Sequence, residues 1–259
     1  MTRFSANLGF LWTDRGLPDA IRAAHHAGFD AVECHWPYDT PSQQVRAALQ
    51  DTGLPMLGLN TRRGNVAGGE NGLCALPGRQ DEARAAIDEA LGYARAIGAC
   101  AVHVMAGVTD EPAAHDTFLE NLHYACHTAQ PDVTVLIEPL NPYDAPGYFL
   151  RDTVQAAGII QQVRAPNLKL MFDCYHVART EGDVSARLSA LWGVIGHIQF
   201  AGVPDRGRPD RGTLDYALLF KQIEDKGWAR PLGAEYKAGT DTDRSLGWMS
   251  TLRGEAKPG

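Results

Sequence analysis

Eight short apolar segments alternate along this chain with longer segments whose apolar residues recur at helical spacing. Short apolar runs are typical of buried strands, and longer runs with this periodicity are typical of helices. A strand followed by a helix, repeated eight times without a break in composition, predicts one α/β domain over residues 1–259, folded as a (β/α)8 TIM barrel. The predicted strands read FSANLGFL, AVECH, LPMLGLN, CAVHVM, VTVLIE, LKLMFD, IGHIQF and LGAEY.

Seven helical segments lie between these strands, and the tail DTDRSLGWMSTLRG is the candidate for an eighth helix. Several of the patterns end at a glycine, which commonly terminates a helix. The seven segments read LPDAIRAAHHAG, PSQQVRAALQDTG, DEARAAIDEALGYARAIG, AAHDTFLENLHYACHTA, LRDTVQAAGIIQQV, DVSARLSALWG and LDYALLFKQIEDKG.

A doubly wound open sheet is the alternative to the barrel. Such a sheet usually carries a glycine-rich phosphate-binding turn after its first strand. The segment LGFLWTDRG at that point contains neither GxGxxG nor GxxxxGKS/T, which lowers the support for a nucleotide-binding fold.

The composition of the chain is that of an ordinary globular protein. Its 259 residues suit one large domain, and 44% hydrophobic with 21% charged residues are enough to build a core. The five cysteines form no CxxC pair, and several lie in apolar runs. We therefore expect them to be reduced and mostly buried, which favours a cytoplasmic location.

The charge balance and the N-terminal segment disfavour several classes of partner. The net charge of -7, without a basic patch, argues against nucleic-acid binding. The segment MTRFSANLGFLWTD lacks the apolar core and cleavage site of a signal peptide, and no apolar run is long enough to span a membrane. We expect a protein that binds a small molecule, with neither nucleic acid nor membrane as a partner, and leave homo-oligomerisation open.

The segment Thr61–Gln80 is too long and too rich in glycine to be a simple connection. It reads TRRGNVAGGENGLCALPGRQ. Loops of this length and composition commonly cover functional sites, so we predict a mobile loop over a site.

Four consecutive predicted strands end in side chains that can bind a metal ion. Strand five is apolar from Val133 to Ile137 and then ends at a carboxylate, which is expensive to bury without a partner. The C-terminal ends of barrel strands face one mouth, and neighbouring strands are about 5 Å apart. Carboxylates that converge there would repel one another unless a divalent cation joined them. The predicted ligands are Glu138, Asp173, Gln199 and Glu235.

Any one of these residues alone would more often be a helix cap or a member of a surface ion pair. Four on successive strands favour the metal site, in which Gln199 is the weakest member because glutamine is an uncommon ligand. Oxygen ligands without sulfur favour a hard ion, Mg²⁺ or Mn²⁺, with Zn²⁺ and Co²⁺ as alternatives.

Other polar residues are predicted at the same mouth. His176 follows Asp173 by three residues, which favours a functional role over the structural role that a single histidine usually has. His197 precedes Gln199 by two residues, so both point to one side of strand seven. The further candidates for substrate binding are His35, Asn60 and His103.

Two basic residues near strand ends are candidates for binding an anionic substrate. Arg206 lies shortly after strand seven in VPDRGRPDRGTLDY, and Lys237 follows Glu235 by two residues. We predict that one of them pairs with a substrate carboxylate. Arg208 and Arg211 of the same loop are assigned to a solvated charged surface.

Several of these segments resemble the hydroxypyruvate isomerase family, a branch of the xylose-isomerase-like TIM barrels that also include ketose 3-epimerases. The resemblance rests on LIEPLNPYDAPGYFL, FDCYHVARTEGD, GHIQFAGVPDR and GAEYK, with VHVMAG and NLGFLW near the start, and covers most of the chain. IEP and HIQ are fairly specific when they occur together. The epimerases usually have histidine at the position of Gln199, so the glutamine indicates the isomerase branch.

The resemblance implies a metal-assisted aldose–ketose type isomerisation of a small hydroxy-carbonyl acid, with hydroxypyruvate and tartronate semialdehyde as the pair. It implies that Glu138 and Glu235 act as the acid/base pair through an enediolate. It also implies that these two glutamates bind the metal ion together with Asp173 and Gln199. In this interpretation His176 binds or polarises a substrate oxygen.

Two segments depart from the family pattern and leave the substrate open. RPDRGT stands where the family commonly has a glycine-rich PGTG, and EYKAG replaces the more usual EYKP. A ketose 3-epimerase, a 2-oxo-tetronate isomerase and a dehydratase would use the same site. A DNA-repair endonuclease of this ancestry would need more ligands and a basic groove, and a non-catalytic sugar-acid binding protein would bind metal without turnover.

Overall fold

Parallel strands alternate with helices along the whole computed structural model, which describes residues 2–129 and 131–253. The strands are β1 (Phe4–Asn7), β2 (Ala31–Glu33), β3 (Leu59–Asn60), β4 (Ala101–His103), β5 (Thr134–Ile137), β6 (Leu168–Asp173), β7 (Ile195–Phe200) and β8 (Leu232–Ala234). The helices are α1 (Leu17–His26), α2 (Ser42–Thr52), α3 (Gln80–Ile97), α4 (Ala114–Ala129), α5 (Thr153–Val163), α6 (Cys174–Thr180), α7 (Val184–Leu191), α8 (Tyr216–Asp225), α9 (Thr242–Ser245) and α10 (Trp248–Arg253).

The sheet closes on itself and forms a barrel. Its hydrogen-bonded order is β2-β1-β8-β7-β6-β5-β4-β3. The two outermost strands of this order meet through a parallel bridge between Val32 and Met56, where Leu57 N donates to Val32 O at 2.7 Å. The predicted (β/α)8 barrel is confirmed, and the doubly wound open sheet is wrong.

Strand β3 is shorter than the predicted segment LPMLGLN. Its regular part is Leu59–Asn60, and the preceding residues pair irregularly with β2. Pro55 has no N–H to donate to a ladder, although its carbonyl oxygen accepts from Val32 N at 3.0 Å. Pro55 therefore interrupts the regular strand without preventing closure of the barrel.

The helices follow the predicted segments with two exceptions. The tail predicted as one helix divides into α9 and α10 around Gly247. Helix α6 has only seven residues, too few for a periodic apolar pattern, and the sequence did not predict it. Its N-cap is Asp173, whose side chain accepts from Tyr175 N at 2.8 Å. This cap fixes the first turn of the helix, where His176 lies.

Alternate residues of each strand face opposite sides of the barrel wall. Residues facing outward pack against the helices in the main hydrophobic core, whereas Leu136 forms a small separate cluster with Ala101 and Met171. A buried polar residue follows each of these three residues by two positions, toward the mouth. The barrel interior therefore changes from apolar to polar toward the mouth. The polar residues are His103, Glu138 and Asp173.

The loop Thr61–Gln80 is partly ordered against the barrel. It contains a short 3-10 helix, Val66–Gly68, and an antiparallel bridge joins Gly72 to Ala106 after β4. Gly72 has φ 117°, and a Cβ there would lie 2.7 Å from the Met105 carbonyl oxygen, so this contact requires glycine. The loop is thus anchored at the mouth, and its mobility stays a prediction.

The state of the cysteines agrees with the prediction from the sequence. All five cysteines are free, and four of them are buried, whereas Cys100 is exposed. Across the described ranges, every helix is too short or too polar to cross a lipid bilayer.

Candidate active site

A cavity of about 170 Å³ opens at the C-terminal ends of the strands. Larger hollows of about 360 and 440 Å³ lie elsewhere on the surface, but their charged lining residues are exposed. The smaller cavity is the candidate site because buried titratable side chains converge there. Its lining includes seven of the residues predicted from the sequence, namely Glu138, Glu235, His35, Asn60, His103, His176 and Arg206.

Four buried side chains with potential ligand atoms lie at the end of the barrel, and the ligand atoms of Glu138 and Asp173 lie within 4.8 Å of each other. Glu138, Asp173, Gln199 and Glu235 come from β5 to β8 or from the residues that follow these strands, and all are buried. In the part of the chain that the structure describes, Glu138 Oε1, Asp173 Oδ2 and Gln199 Oε1 have no hydrogen-bond partner. Buried oxygens without a partner are costly, so this donor set fits a divalent cation.

The electrostatics of two of these carboxylates also call for a further positive charge. Burial raises the pKa of Glu138 well above its usual range, and the neighbouring Glu235 and Asp173 raise it further. Burial raises the pKa of Asp173 to about 7, although Arg206 acts in the opposite direction. A bound divalent ion would remove both penalties, because it favours the ionised form of each carboxyl group.

Glu235 has the opposite electrostatic balance. Burial alone would raise its pKa, but Arg206 and His35 lower the pKa to about 2. Arg206 Nη2 lies 3.3 Å from Glu235 Oε1, and His35 Nε2 lies 2.9 Å from the same oxygen. The pKa values of Glu138 and Glu235 are therefore shifted in opposite directions, as is common for the acid and base of an active site.

Arg206 lies among the carboxylates of the site. Besides Glu235, its guanidinium nitrogens lie 3.5 Å from Asp173 Oδ2 and 3.7 Å from Asp144 Oδ2. The Phe10 ring packs on the guanidinium, with its centroid 4.6 Å from Cζ. The backbone φ of Arg206 is 58°, which is uncommon for a residue other than glycine. The surrounding contacts therefore hold Arg206 in a conformation that it would rarely adopt by itself.

The structure does not bring Lys237 to the predicted position. Its side chain is exposed and is not among the residues that line the cavity. Only its backbone contacts the site, because Lys237 N donates to Arg206 O at 2.7 Å. On the loop after β7, Arg208 binds Asp210 at 2.9 Å and Arg211 is exposed.

The two histidines nearest Glu138 are neutral. Burial lowers the pKa of His176 and of His103 to about 3. Asn141 N donates to His176 Nδ1 at 2.9 Å, so the proton of the neutral ring is on Nε2. This Nε2 lies 3.6 Å from Asp173 Oδ2 and 4.0 Å from Glu138 Oε1.

The position of that proton decides between two roles for His176. Ligand atoms of Glu138, Asp173 and His176 lie within 4.8 Å of one another, which is close enough for a shared metal ion. A ring nitrogen that carries a proton cannot bind a metal. His176 therefore faces the cavity as a hydrogen-bond donor, the arrangement expected of a residue that binds a substrate oxygen.

Glu33 is a buried residue of the site that the sequence analysis missed. Its Oε1 accepts from Gln199 Nε2 at 2.8 Å and from Asn7 Nδ2 at 3.1 Å, and its Oε2 lies 2.6 Å from His197 Nε2. By binding the amide nitrogen of Gln199, Glu33 leaves the amide oxygen for another partner. A carboxylate inside the apolar strand AVECH was the available signal, similar to the one at Glu138.

Two further lining residues, Arg63 and Asn71, come from the loop Thr61–Gln80. The sequence predicts that this loop covers a site, but loop residues have no periodicity that would place their side chains. Only the three-dimensional structure shows which of them reach the cavity.

Comparison with known proteins agrees with this architecture. The family described as xylose isomerase-like TIM barrel matches residues 21–252. The 2-oxo-tetronate isomerase of Cupriavidus necator is 42% identical and aligns over 98% of this chain and 100% of its own. The hydroxypyruvate isomerase of Escherichia coli is 36% identical, also over 98% of this chain and 100% of its own.

One solved structure extends the comparison to three dimensions. A Brucella melitensis protein described as an AP endonuclease, family 2, superposes with a TM-score of 0.93 at 36% identity, over 97% of this chain and 99% of that protein. Relatives with this identity over almost their full length show the family to which a chain belongs. The chain belongs to the xylose isomerase-like TIM barrel family, and within it to the isomerases named for hydroxypyruvate and 2-oxo-tetronate.

Proposed function

We propose that this isomerase interconverts hydroxypyruvate and tartronate semialdehyde with the help of a divalent metal ion. The observation that carries the proposal is the pair of buried glutamates, Glu138 after β5 and Glu235 after β8, which line one small cavity. Two strands separate β5 from β8 in the barrel, so the two carboxylates approach a substrate from different directions. Such a pair is what proton transfer between adjacent carbons requires.

The size of the cavity favours a small acid as the substrate. Its volume of about 170 Å³ is roughly the liquid volume of six water molecules. Typical ligand pockets are larger, about 300–1,000 Å³. A three- or four-carbon acid suits this space better than the six-carbon ketose of a 3-epimerase.

A nucleic-acid substrate suits the molecule less well, although one solved relative is described as an endonuclease. The net charge is -7, and the walls of the cavity are rich in carboxylates. Binding to a phosphate backbone requires clustered positive charge on an accessible surface. The small cavity with its acidic walls therefore supports a small-molecule isomerase.

The reaction moves one proton between neighbouring carbon atoms. One glutamate removes a proton from the carbon that bears the hydroxyl group, and the other delivers a proton to the former carbonyl carbon. The hydroxyl proton passes to the other oxygen, so the substrate is rearranged without net gain or loss of atoms. In the reverse direction the two glutamates exchange roles. His176 donates from Nε2 to a substrate oxygen on which negative charge develops.

The residues present fit a divalent ion. Glu138, Asp173, Gln199 and Glu235 would hold it, three of them through an oxygen that has no hydrogen-bond partner among the described residues. When bound, such an ion supplies Lewis-acid stabilisation of charge on the substrate oxygens. The oxygen donor set favours Mg²⁺ or Mn²⁺, with Co²⁺ and Zn²⁺ as alternatives.

The second candidate substrate is 2-oxo-tetronate, a four-carbon acid. The 42% identity to the Cupriavidus necator isomerase of that name favours it. The same glutamate pair would transfer the proton, and the longer substrate would need only additional room in the cavity.

The test is turnover of both acids by metal-stripped protein to which Mg²⁺, Mn²⁺ or Co²⁺ is added back, with deuterium incorporation from solvent followed in parallel. Metal-dependent formation of tartronate semialdehyde is the expected result. If only 2-oxo-tetronate were turned over, the proposed role of the two glutamates would stand and 2-oxo-tetronate would be the substrate. Metal binding without deuterium exchange on either acid would overturn the proposal and indicate a sugar-acid binding protein.

A further inference from the structure

We infer that Arg63, on the loop Thr61–Gln80, binds the carboxylate of the substrate and thereby makes the site selective for acids. This inference rests on the proposed function, because it names the group of the substrate that the loop recognises. It differs from the prediction made from the sequence, in which Arg206 or Lys237 pairs with that carboxylate.

The cavity has an excess of negative charge that an acid must overcome. Three carboxylates line it, those of Glu138, Glu235 and Asp144. A metal ion would be held by Glu138 and Glu235 among these residues and would stabilise charge on the oxygens at the reacting carbons. The substrate carboxylate therefore needs a cation of its own, and the arginines that line the cavity are Arg63 and Arg206.

Arg206 is already committed to the protein's own carboxylates. Its guanidinium lies within 3.3 to 3.7 Å of Glu235, Asp173 and Asp144. Moving Arg206 onto a substrate would leave these buried acids with less compensation, which is costly. Its charge is therefore used inside the protein.

Arg63 has no such commitment. It forms no ion pair with any residue in 2–129 or 131–253, and its buried Nε has no hydrogen-bond partner there. Its guanidinium lies over the Trp36 ring, with Cζ 4.7 Å from the ring centroid. Stacking on an aromatic face leaves the N–H edge of a guanidinium free for a bidentate contact with a carboxylate.

Arg63 is also held in place at the cavity. Its carbonyl oxygen accepts from Gly72 N at 2.9 Å, and Gly72 is bridged to the barrel at Ala106. Trp36 Nε1 donates to Thr61 O at 3.1 Å, which fixes the ring under the guanidinium. A receptor ordered before binding loses less conformational freedom when the substrate arrives.

The neighbouring Arg62 is a matched control. Its side chain is exposed and does not line the cavity. Its guanidinium binds Glu89 at 2.6 and 3.0 Å and lies over the Tyr38 ring at 4.6 Å. The two arginines therefore share residue type and aromatic stacking but differ in access to the substrate.

The experiment compares kcat/KM of metal-loaded wild type, R63Q, R63K and R62Q on hydroxypyruvate and on dihydroxyacetone. Dihydroxyacetone has a hydroxymethyl group where hydroxypyruvate has its carboxylate. We expect R63Q to lose roughly 10- to 100-fold on hydroxypyruvate, mainly through a higher KM, and to be unchanged on dihydroxyacetone. R63K should recover part of the loss, because it restores the charge without the bidentate geometry. R62Q should behave as wild type.

Two outcomes would overturn the inference. Equal losses of R63Q on both substrates would show a structural role for Arg63. If R63Q kept the wild-type kcat/KM on hydroxypyruvate, Arg206 rather than Arg63 would be the residue that binds the substrate carboxylate.

A binding measurement separates failure of this inference from failure of the proposed function. Glycerate has the carboxylate but no carbonyl to isomerise, so calorimetry can measure its binding to wild type, R63Q and R62Q without turnover. Binding that R63Q alone loses supports the inference even if hydroxypyruvate is not converted. If hydroxypyruvate is converted but all three proteins bind glycerate equally, the proposed function stands and the inference about Arg63 is overturned. If wild type does not bind glycerate at all, the inference is overturned as well.

Discussion

The two faces of the barrel wall are built differently, and strand β7 shows both. Ile198 and Phe200 point outward into the main hydrophobic core. His197 and Gln199 alternate with them and point into the barrel, where both contact Glu33. One strand thus carries the packing of the fold on one side and part of the candidate metal site on the other.

The outward face is an aromatic layer between the sheet and the last helices. The Phe4 ring lies 4.9 Å from the Trp248 ring, and the Phe200 ring lies 4.9 Å from the Phe220 ring, in edge-to-face arrangements. The polar atom of Trp248 is also satisfied, because its Nε1 donates to Tyr236 Oη at 3.1 Å. These rings pack against one another through apolar contacts, and none of them leaves a polar atom without a hydrogen-bond partner.

The inward face has the opposite character near the mouth. Glu138, Asp173 and Gln199 each bury an oxygen that has no hydrogen-bond partner in the described ranges. Such groups lower the stability of the metal-free protein, and the aromatic layer offsets that cost. The comparison teaches that stability and chemistry are separated across a wall one strand thick, so single substitutions should affect one without the other.

The largest expected effect is on catalysis, from E138Q or E235Q. Each removes the carboxylate that transfers a proton, so turnover of hydroxypyruvate should fall by about 10³-fold or more. The free energy of unfolding of the metal-free E138Q protein, measured in urea, should not fall, because glutamine removes a carboxyl group whose charge is unfavourable where it is buried. Near-normal turnover of either variant would remove that glutamate from the acid/base pair.

The second effect is on stability, from F200A on the outward face. Truncation of this fully buried ring should lower the free energy of unfolding by about 3–5 kcal/mol. Turnover per folded molecule at 25 °C should stay within about twofold of wild type, because Phe200 does not line the cavity. If folded F200A lost as much turnover as E138Q does, the two faces of the barrel wall would be coupled.

The sequence predicts the outward face and the strand ends well for the same physical reason. Periodic apolar residues define each element, and a barrel brings the ends of all strands to one mouth, so Glu138 and Glu235 could be placed without coordinates. The boundaries of β3 could not be predicted, because they depend on how the preceding residues pair with β2. Helix α6 could not be predicted either. It has no periodic apolar pattern, and the hydrogen bond from its cap, Asp173, stabilises its first turn.

The residues that sequence analysis missed are those whose roles depend on a distant partner. Glu33 lies 166 positions from Gln199, and only closure of the barrel joins them. Arg63 follows no periodic pattern, and its position depends on the bridge of Gly72 to the barrel. Lys237 shows the converse error, because its proximity in sequence to Glu235 suggested a place in the site for a side chain that is exposed and does not line the cavity.

Glu33 supplies the third prediction, which sharpens the view of the inward face. Gln199 Nε2 and His197 Nε2 both contact the Glu33 carboxylate, and a glutamine at position 33 has only one oxygen to accept these bonds. E33Q should therefore weaken metal binding by about 10- to 100-fold, measured by titration calorimetry. Turnover should recover at saturating metal, since Glu33 acts by positioning Gln199.

A matched control for E33Q lies outside the barrel interior. Glu181 accepts from Thr153 N at 2.9 Å and from Thr153 Oγ1 at 2.8 Å, so E181Q also disturbs a hydrogen-bonded carboxylate. E181Q should lower stability and leave metal affinity unchanged. Equal metal affinity of E33Q and wild type would show that Glu33 does not position a ligand.

The smallest effect concerns the loop that carries Arg63, which belongs to neither face. Glu70 accepts from Arg79 Nη1 at 2.7 Å and from Asn65 N at 2.5 Å, and these bonds connect distant parts of the loop. The bond from Arg79 lowers the pKa of Glu70, so the stabilisation is present above the ordinary pKa of a glutamate and is lost as pH falls through the lowered value. E70Q should therefore speed backbone hydrogen exchange around Asn65 by about fivefold or less at pH 7.

The pH dependence and a second ion pair give this last prediction its controls. The difference in exchange between E70Q and wild type should shrink as pH falls below the lowered pKa of Glu70, because the wild-type ion pair is then lost as well. D225N breaks the exposed pair of Asp225 with Lys221, 2.9 Å apart on α8, and should leave exchange in the loop unchanged. Identical exchange of E70Q and wild type at pH 7 would mean that the backbone bonds between the loop and the barrel hold the loop without this ion pair. Arg63 would then owe its position to those bonds and to Trp36.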